Sequence, residues 1–218
     1  DYTARMPAEI GLRKLVELFA WKARQMPLEV LSTGPINGRS YDIVSGHRDI
    51  SNTACPGDTF YPYLPMLRQR VHALLYPPIV AELEAEVDAR EASAAQLSAR
   101  VDPQGSRTVW YFEYGTRAAL NDAAATAAEE LRDADGGPSP VQARLYGLAE
   151  ETTYYYRLVA VNSDTLTHSP MQQFAAGRTT LVEPGSSGPR PQTLTLSANY
   201  PNPFNASTQI PFALTSPG

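Results

Sequence analysis

The chain has one cysteine, Cys55, and three histidines among its 218 residues. A single thiol excludes an intramolecular disulfide framework. In an exported protein, an odd Cys is left as a free thiol, an intermolecular bridge or a metal ligand. No run approaches the roughly 20 consecutive apolar residues of a membrane-spanning helix. No basic segment followed by an apolar stretch opens the chain, so no signal peptide is read there. A basic excess is also missing: the net charge of -5 gives no ground for binding nucleic acid or an anionic membrane. The first residue is Asp1 rather than Met, and helix-forming sequence follows almost at once, so the chain reads as a fragment whose N-terminus, with any export signal, lies upstream. What is present, 43% hydrophobic and 19% charged residues, suits a globular protein. The length allows one large domain or two small ones, each with a core.

Apolar residues at Ile10, Leu12, Leu15, Leu18, Phe19 and Met26 recur mostly at three- and four-residue spacing, which predicts an amphipathic helix from Pro7 to about Met26. "STGPINGRS" has the composition of a loop, and "YDIVSGH" that of a short strand ending at Gly46. Asp58 is placed to cap a second helix over 59–75, with Tyr63, Leu64, Leu67, Val71, Leu74 and Leu75 on one face and "YPP" ending it. Residues 77–92 are rich in Ala and Glu and read as a helix-permissive linker or domain entry. Beyond them, short β-branched and aromatic runs bounded by Gly, Pro, Asp or Asn predict an all-β sandwich over 93–181. An Ala-rich insertion over 117–140 interrupts it, with room for a helical turn. Residues 182–192 read as a Gly/Pro/Ser linker, and 193–218 as a short tail.

The stretch "GHRDISNTACPGD", residues 46–58, concentrates the chemistry. His47 and Cys55 offer an imidazole nitrogen and a thiolate, both zinc ligands, but a catalytic zinc needs three protein ligands and an open position. His72 and His168 have no spacing that recommends either as the third. His47-Arg48-Asp49 matches the opening of a kinase catalytic loop, but position 54 is Ala where that loop needs Asn, and no Gly-rich phosphate loop or Asp-Phe-Gly accompanies it. A Cys55-His47 nucleophilic pair lacks a third, orienting group. On the residues alone a metal half-site, such a pair and a plain strand-to-helix loop all remain open.

"GHRDISNTACPGDTFYPYLPMLRQRV", with the helix before it, resembles the C-terminal section of the zinc-dependent N-acetylmuramoyl-L-alanine amidases, the family of the phage lysozyme-type amidases and peptidoglycan recognition proteins. The resemblance covers residues 1–76. It implies that His47 and Cys55 are the second and third zinc ligands and that Thr53, two before the Cys, helps stabilise the tetrahedral intermediate. The family's first ligand His and its catalytic Tyr precede the matched region. A whole protein of this kind would cleave the amide between the muramyl lactyl group and L-alanine, whereas the fragment would bind zinc weakly and be inactive. The alternative is a non-catalytic peptidoglycan-binding or adhesion protein built on the same domain. Asp49 is a candidate orienter of His47, although salt bridges that merely hold the loop explain Arg48 and Asp49 equally.

"LAEETTYYYRLVAVNS" resembles the E–F corner and F strand of fibronectin type III domains, which makes Tyr154 the corner tyrosine and Trp110 the core tryptophan. The aromatic run Trp110, Tyr111, Phe112 and Tyr114, with Tyr154–Tyr156, is expected to pack rather than to form a sugar platform. "YPNPFN" at 200–205 resembles the start of the C-terminal sorting domain of type IX secretion in Gram-negative bacteria. The chain is therefore expected to be multidomain. A partial α/β amidase domain (1–76, a mixed sheet with flanking helices) precedes the sandwich and the truncated β start of a sorting domain. The expected cofactor is zinc and the expected partners are peptidoglycan and the type IX secretion machinery, with neither nucleic acid nor a membrane span. The expected location is secreted or at the cell surface. Asn205-Ala206-Ser207 matches a glycosylation sequon, which is discounted in a bacterial protein.

Overall fold

Glu9–Gln25 forms helix α1, with Glu9 in the first turn and Lys22 and Arg24 in the last, charges that suit the helix dipole. Its buried stripe is Leu12, Val16, Ala20 and Ala23. The stripe is rotated from the expected one: Leu12 is shared and Leu15 and Phe19 pack half-buried beside it, but Ile10 and Leu18 are 56% exposed and Met26 51%. The reason is packing distance. Ala20 and Ala23 let helix α3, Leu64–Leu75, approach closely, and its Leu64, Leu67 and Val71 fill the seam. A three-residue 3-10 turn at Tyr61–Tyr63 leads into α3, and a Pro in its first turn starts the helix. Asp58 therefore does not cap this helix.

These coordinates are a computed structural model that describes residues 2, 4–88, 90–131, 137–178, 194–196, 200–205, 207–209 and 212–214. The chain divides into two units, 1–179 and 180–218. Among the described residues, strands outnumber helices. None of the described helices is long and apolar enough to cross a membrane.

The segment expected to be a loop is a hairpin of β1 (Thr33–Ile36) and β2 (Arg39–Asp42). Its turn is Asn37-Gly38, both at positive φ (50° and 76°), the two-residue connection whose twist matches that of the strands. The strand expected through 41–46 thus ends at Asp42. Where a mixed sheet is expected, the described residues of this part hold this antiparallel pair.

Residues 79–87 are not a linker. They form β3, Ile79–Val87, which pairs antiparallel with β4, Ala95–Asp102. The composition favours helix, but the order of residues has a period of two. Leu83, Ala85 and Val87 turn to the core while Glu84 and Glu86 face solvent. A register shift between Ala81 and Glu84, with Glu82 at φ 52°, brings Val80 to the same side.

β3, β4 and β8 (Ser139–Leu145) make one sheet. In the other, β9 (Thr153–Val161) lies between β5 (Val109–Gly115) and the short strands β10 (Leu166–His168) and β11 (Gln172–Ala175). The outer edge of β5 pairs with β6, Ala124–Ala125, and β7, Glu129–Glu130, and in the Ala-rich insertion these strands follow two turns closed by the Leu120 N–H to the Arg117 carbonyl and the Ala123 N–H to the Leu120 carbonyl. Leu97, Val101, Val141 and Leu145 of the first sheet meet Trp110, Phe112, Tyr156 and Leu158 of the second, which makes this a β-sandwich. Trp110, Phe112, Tyr154 and Tyr156 are all buried, as packing requires. The Tyr154 hydroxyl accepts a hydrogen bond from the Ala149 N–H at 3.0 Å, the expected tyrosine corner.

The sandwich is tied to α3 within the first unit. Asn162, buried at the end of β9, donates to the Ala73 carbonyl at 3.0 Å. Its Oδ1 accepts from the Asp164 and Thr165 N–H groups, which shapes the 162–165 turn. That turn presents Asp164 to Arg70, whose Nε and Nη2 reach the carboxylate at 3.0–3.2 Å while Nη1 donates to Glu9 and Tyr63. The Asp164 side chain is 6% exposed and that of Arg70 13%. The Asp164 carboxylate holds the Arg70 guanidinium pKa above its ordinary value. His72 completes the seam with Nδ1 3.2 Å from Ser106 Oγ, and desolvation pushes its pKa down.

In the second unit β12 (Leu194–Leu196) pairs with β15 (Phe212–Leu214), and β13 (Tyr200–Asn205) with β14 (Ser207–Gln209), all antiparallel. The "YPNPFN" stretch forms strand β13. The expected linker 182–192 lies outside the described residues.

Since α3 and the sandwich share a buried ion pair, they are expected to unfold together. Trp21 reports on the helices and Trp110 on the sandwich, so single-Trp variants should give coincident urea transitions. Asp164→Ala should shift both by about 1.5–3 kcal/mol, the range for a lost hydrogen bond to a charged group. Two separate transitions, with Trp21 alone responding, would show that the lobes are independent.

Candidate functional site

After Val44, the chain turns at Gly46 into a single helical turn, α2, His47–Ile50. Gly46 is required by space. A Cβ there would come within 3.0 Å of the Tyr61 ring and 3.2 Å of Pro56. The Gly46 N–H donates to Asp49 Oδ2 at 2.6 Å, so the carboxylate three residues on closes the turn. Asp49 Oδ1 accepts from the Tyr61 hydroxyl. Asp49 therefore gives one oxygen to the turn and the other to Tyr61 and makes no hydrogen bond to His47, which sets aside its expected role as the orienter. Arg48 donates its backbone N–H to the Cys55 carbonyl at 3.0 Å and its guanidinium to the Ala54 carbonyl. It also pairs with Asp58 at 2.9 Å and lies 4.6 Å over the Tyr61 ring. The loop-holding reading of these two residues matches these contacts.

The three predicted site residues lie on this one loop. His47 and Cys55 are exposed, Thr53 half-buried. The Thr53 hydroxyl accepts from the Cys55 N–H at 3.2 Å. Among the described residues, the side chains of His47 and Cys55 have no hydrogen-bond or ion-pair partner, and Cys55 is a free thiol. No group of three or more His, Cys, Asp and Glu side chains is placed to hold a metal among the described residues. His72 is committed to the Ser106 contact, and His168 lies on β10.

Beside the loop lies a cleft of about 420 Å³, lined by Thr33, Tyr41, Asp42, Asp49, Tyr61 and Arg68 among others. Arg68 bonds to the Val44 carbonyl at 2.8 Å and to Asp42 at 3.0 Å, which ties α3 to both ends of the segment leading into the site. Sequence reasoning missed Tyr61, whose hydroxyl donates to Asp49 and whose ring lies under Arg48. Twelve positions separate it from Asp49, and no periodicity connects them. Asp58 was visible as an acidic residue before a helix, but its partner is Arg48.

No protein-family model and no curated protein matches the chain. Among solved structures, it is similar to the sensor domain of the anti-sigma factor RsgI4 of Pseudobacteroides cellulosolvens. That similarity has 19% identity over 47% of this chain and 97% of the other, with a TM-score of 0.36. The third fibronectin III domain of the human KIAA0343 protein is similar at 15% identity over 49% of this chain and 85% of that one, with a TM-score of 0.28.

The bond to Asp49 holds the Tyr61 proton and raises its pKa above the ordinary 10.0. The sign follows: the folded state favours protonated Tyr61, so this support is full below the unfolded value and fades as pH rises through the raised one. Asp49→Ala should return Tyr61 towards its ordinary titration, read as phenolate absorbance against a Tyr61→Phe control. An unchanged titration would mean that the bond has no weight in solution.

Proposed function

We propose that this chain carries the second half of a zinc amidase site acting on peptidoglycan, with the sandwich as a docked accessory module and the 193–218 segment as the start of a type IX sorting domain. The observation that carries the reading is the single loop that presents His47 and Cys55 with free ligand atoms, its two arms joined by the Arg48 N–H to the Cys55 carbonyl. One imidazole and one thiolate fit zinc as two of three protein ligands. In the amidases that the chain resembles, the remaining ligand His and a catalytic Tyr precede the matched region. Bound metal would supply Lewis-acid polarisation of the scissile carbonyl and a water acidic enough to attack at neutral pH. The chain's own contribution is positional. Its backbone ties hold the imidazole and thiol on one loop, and Thr53, beside Cys55, keeps its hydroxyl proton available to donate to a developing oxyanion. The alternating residues of the sandwich are spent on packing, so no chemistry is assigned to it.

The test is release of muramyl peptides from purified peptidoglycan. Residues 1–218 should release none. A chain extended upstream should hydrolyse in a zinc-dependent way, with activity lost in His47→Ala and Cys55→Ala. Hydrolysis by residues 1–218 would overturn the division of the site. Binding without hydrolysis by the extended chain would favour the non-catalytic protein.

A further inference from the structure

We infer that Arg48 is the positioning residue that fixes the Cys55 arm of the loop against His47, a role that deepens the zinc reading and rests on it for its function. The residue next to the imidazole makes two ties to successive carbonyls of the other arm: its N–H to Cys55 and its guanidinium to Ala54. The guanidinium then reaches past Cys55 to Asp58 at 2.9 Å and covers the Tyr61 ring at 4.6 Å. Only a planar fork with several donors spans a carbonyl, a carboxylate and an aromatic face at once; an ammonium group is a single point. The Arg48 side chain is 23% exposed, and its Nε is buried without a partner among the described residues. The orientation of the group is thus set by what its terminal nitrogens hold rather than by satisfaction of every donor. Asp49, by contrast, closes the turn at Gly46 and binds Tyr61, so the two neighbours divide the work: one anchors α2 to the scaffold, the other anchors the Cys arm to α2.

The test has a metal-independent arm and a metal arm, both on the 218-residue chain. In the apo protein, hydrogen exchange of the residue-48 amide should be about tenfold or more faster in Arg48→Ala, with α3 amides unchanged, and intermediate in Arg48→Lys. An unchanged residue-48 amide in Arg48→Ala would overturn the proposal. If α3 loses protection as well, Asp58→Ala decides. Faster exchange confined to the loop supports the role, and no change overturns it. In the metal arm, cobalt should give a thiolate-to-metal absorption band that Cys55→Ala abolishes. Arg48→Ala should bind cobalt about 10- to 100-fold more weakly, the usual effect of losing a group that orients a ligand. Equal affinity would overturn the role in metal positioning. If neither this chain nor one extended upstream shows such a band, the zinc reading fails, while the exchange result still judges the loop clamp.

Discussion

The seating of the 162–165 turn on the end of α3 is the constraint on which the first unit depends. Two helices and a two-stranded hairpin enclose a small core, and a lone hairpin is marginal in water. Asn162 supplies what that layer lacks. One end of its amide takes the Ala73 carbonyl, near the end of α3 where no further turn of helix takes it up. The other end folds the turn that delivers Asp164 to Arg70. Because the ion pair is nearly dry, its attraction is only weakly screened, but desolvation offsets much of the gain. Its clearer contribution is to geometry, since Arg70 also holds Glu9 at the start of α1 and Tyr63 ahead of α3. One guanidinium therefore sets α1, α3 and the sandwich together.

The candidate site inherits this order through α3. Arg68, two residues before Arg70, holds Val44 and Asp42, the residues that lead into Gly46. Tyr61, in the turn that opens α3, receives Asp49 and Arg48. The loop that bears His47 and Cys55 is thus fastened at its entry and at its helical turn by residues on or beside one helix. Domains joined by extended linkers move relative to their neighbours by default. Here β3 begins at Ile79, four residues after α3 ends at Leu75, and leaves no such linker.

Legibility in the sequence followed the range of the interaction. The sandwich strands were readable because alternation acts within a single strand, and the tyrosine corner was readable from the resemblance of its motif to a fibronectin type III E–F corner. The existence of both helices was readable from local periodicity. The inward face of α1 was not, because it depends on Ala20 and Ala23 meeting a helix some 40 positions away in sequence. β3 was misread because Ala and Glu favour helix, while its period of two is broken by the bulge at Glu82. The hairpin was missed although Asn37-Gly38 is a strong turn signal, since Pro35 and Gly34 made the flanks look like loop. His47, Thr53 and Cys55 were singled out by the amidase-like motif, and they lie on one loop. Tyr61, Asp58 and Arg70 were not, since their roles exist only as tertiary pairs.

The loop also shows a division between groups that stabilise and groups that are left free. Gly46, Arg48, Asp49 and Asp58 are engaged in a turn closure, two carbonyl ties, an ion pair and a ring contact. His47 and Cys55, adjacent in the chain to several of these, remain exposed with their side chains uncommitted among the described residues. Ser51 and Asn52 between them are likewise exposed, so the polar tips of this loop face solvent while its backbone and its Arg48 and Asp49 side chains hold it together. Here the backbone is over-determined while the imidazole and thiol are withheld from it. On the proposed zinc reading, this backbone would be the rigid support that holds the two ligands in place.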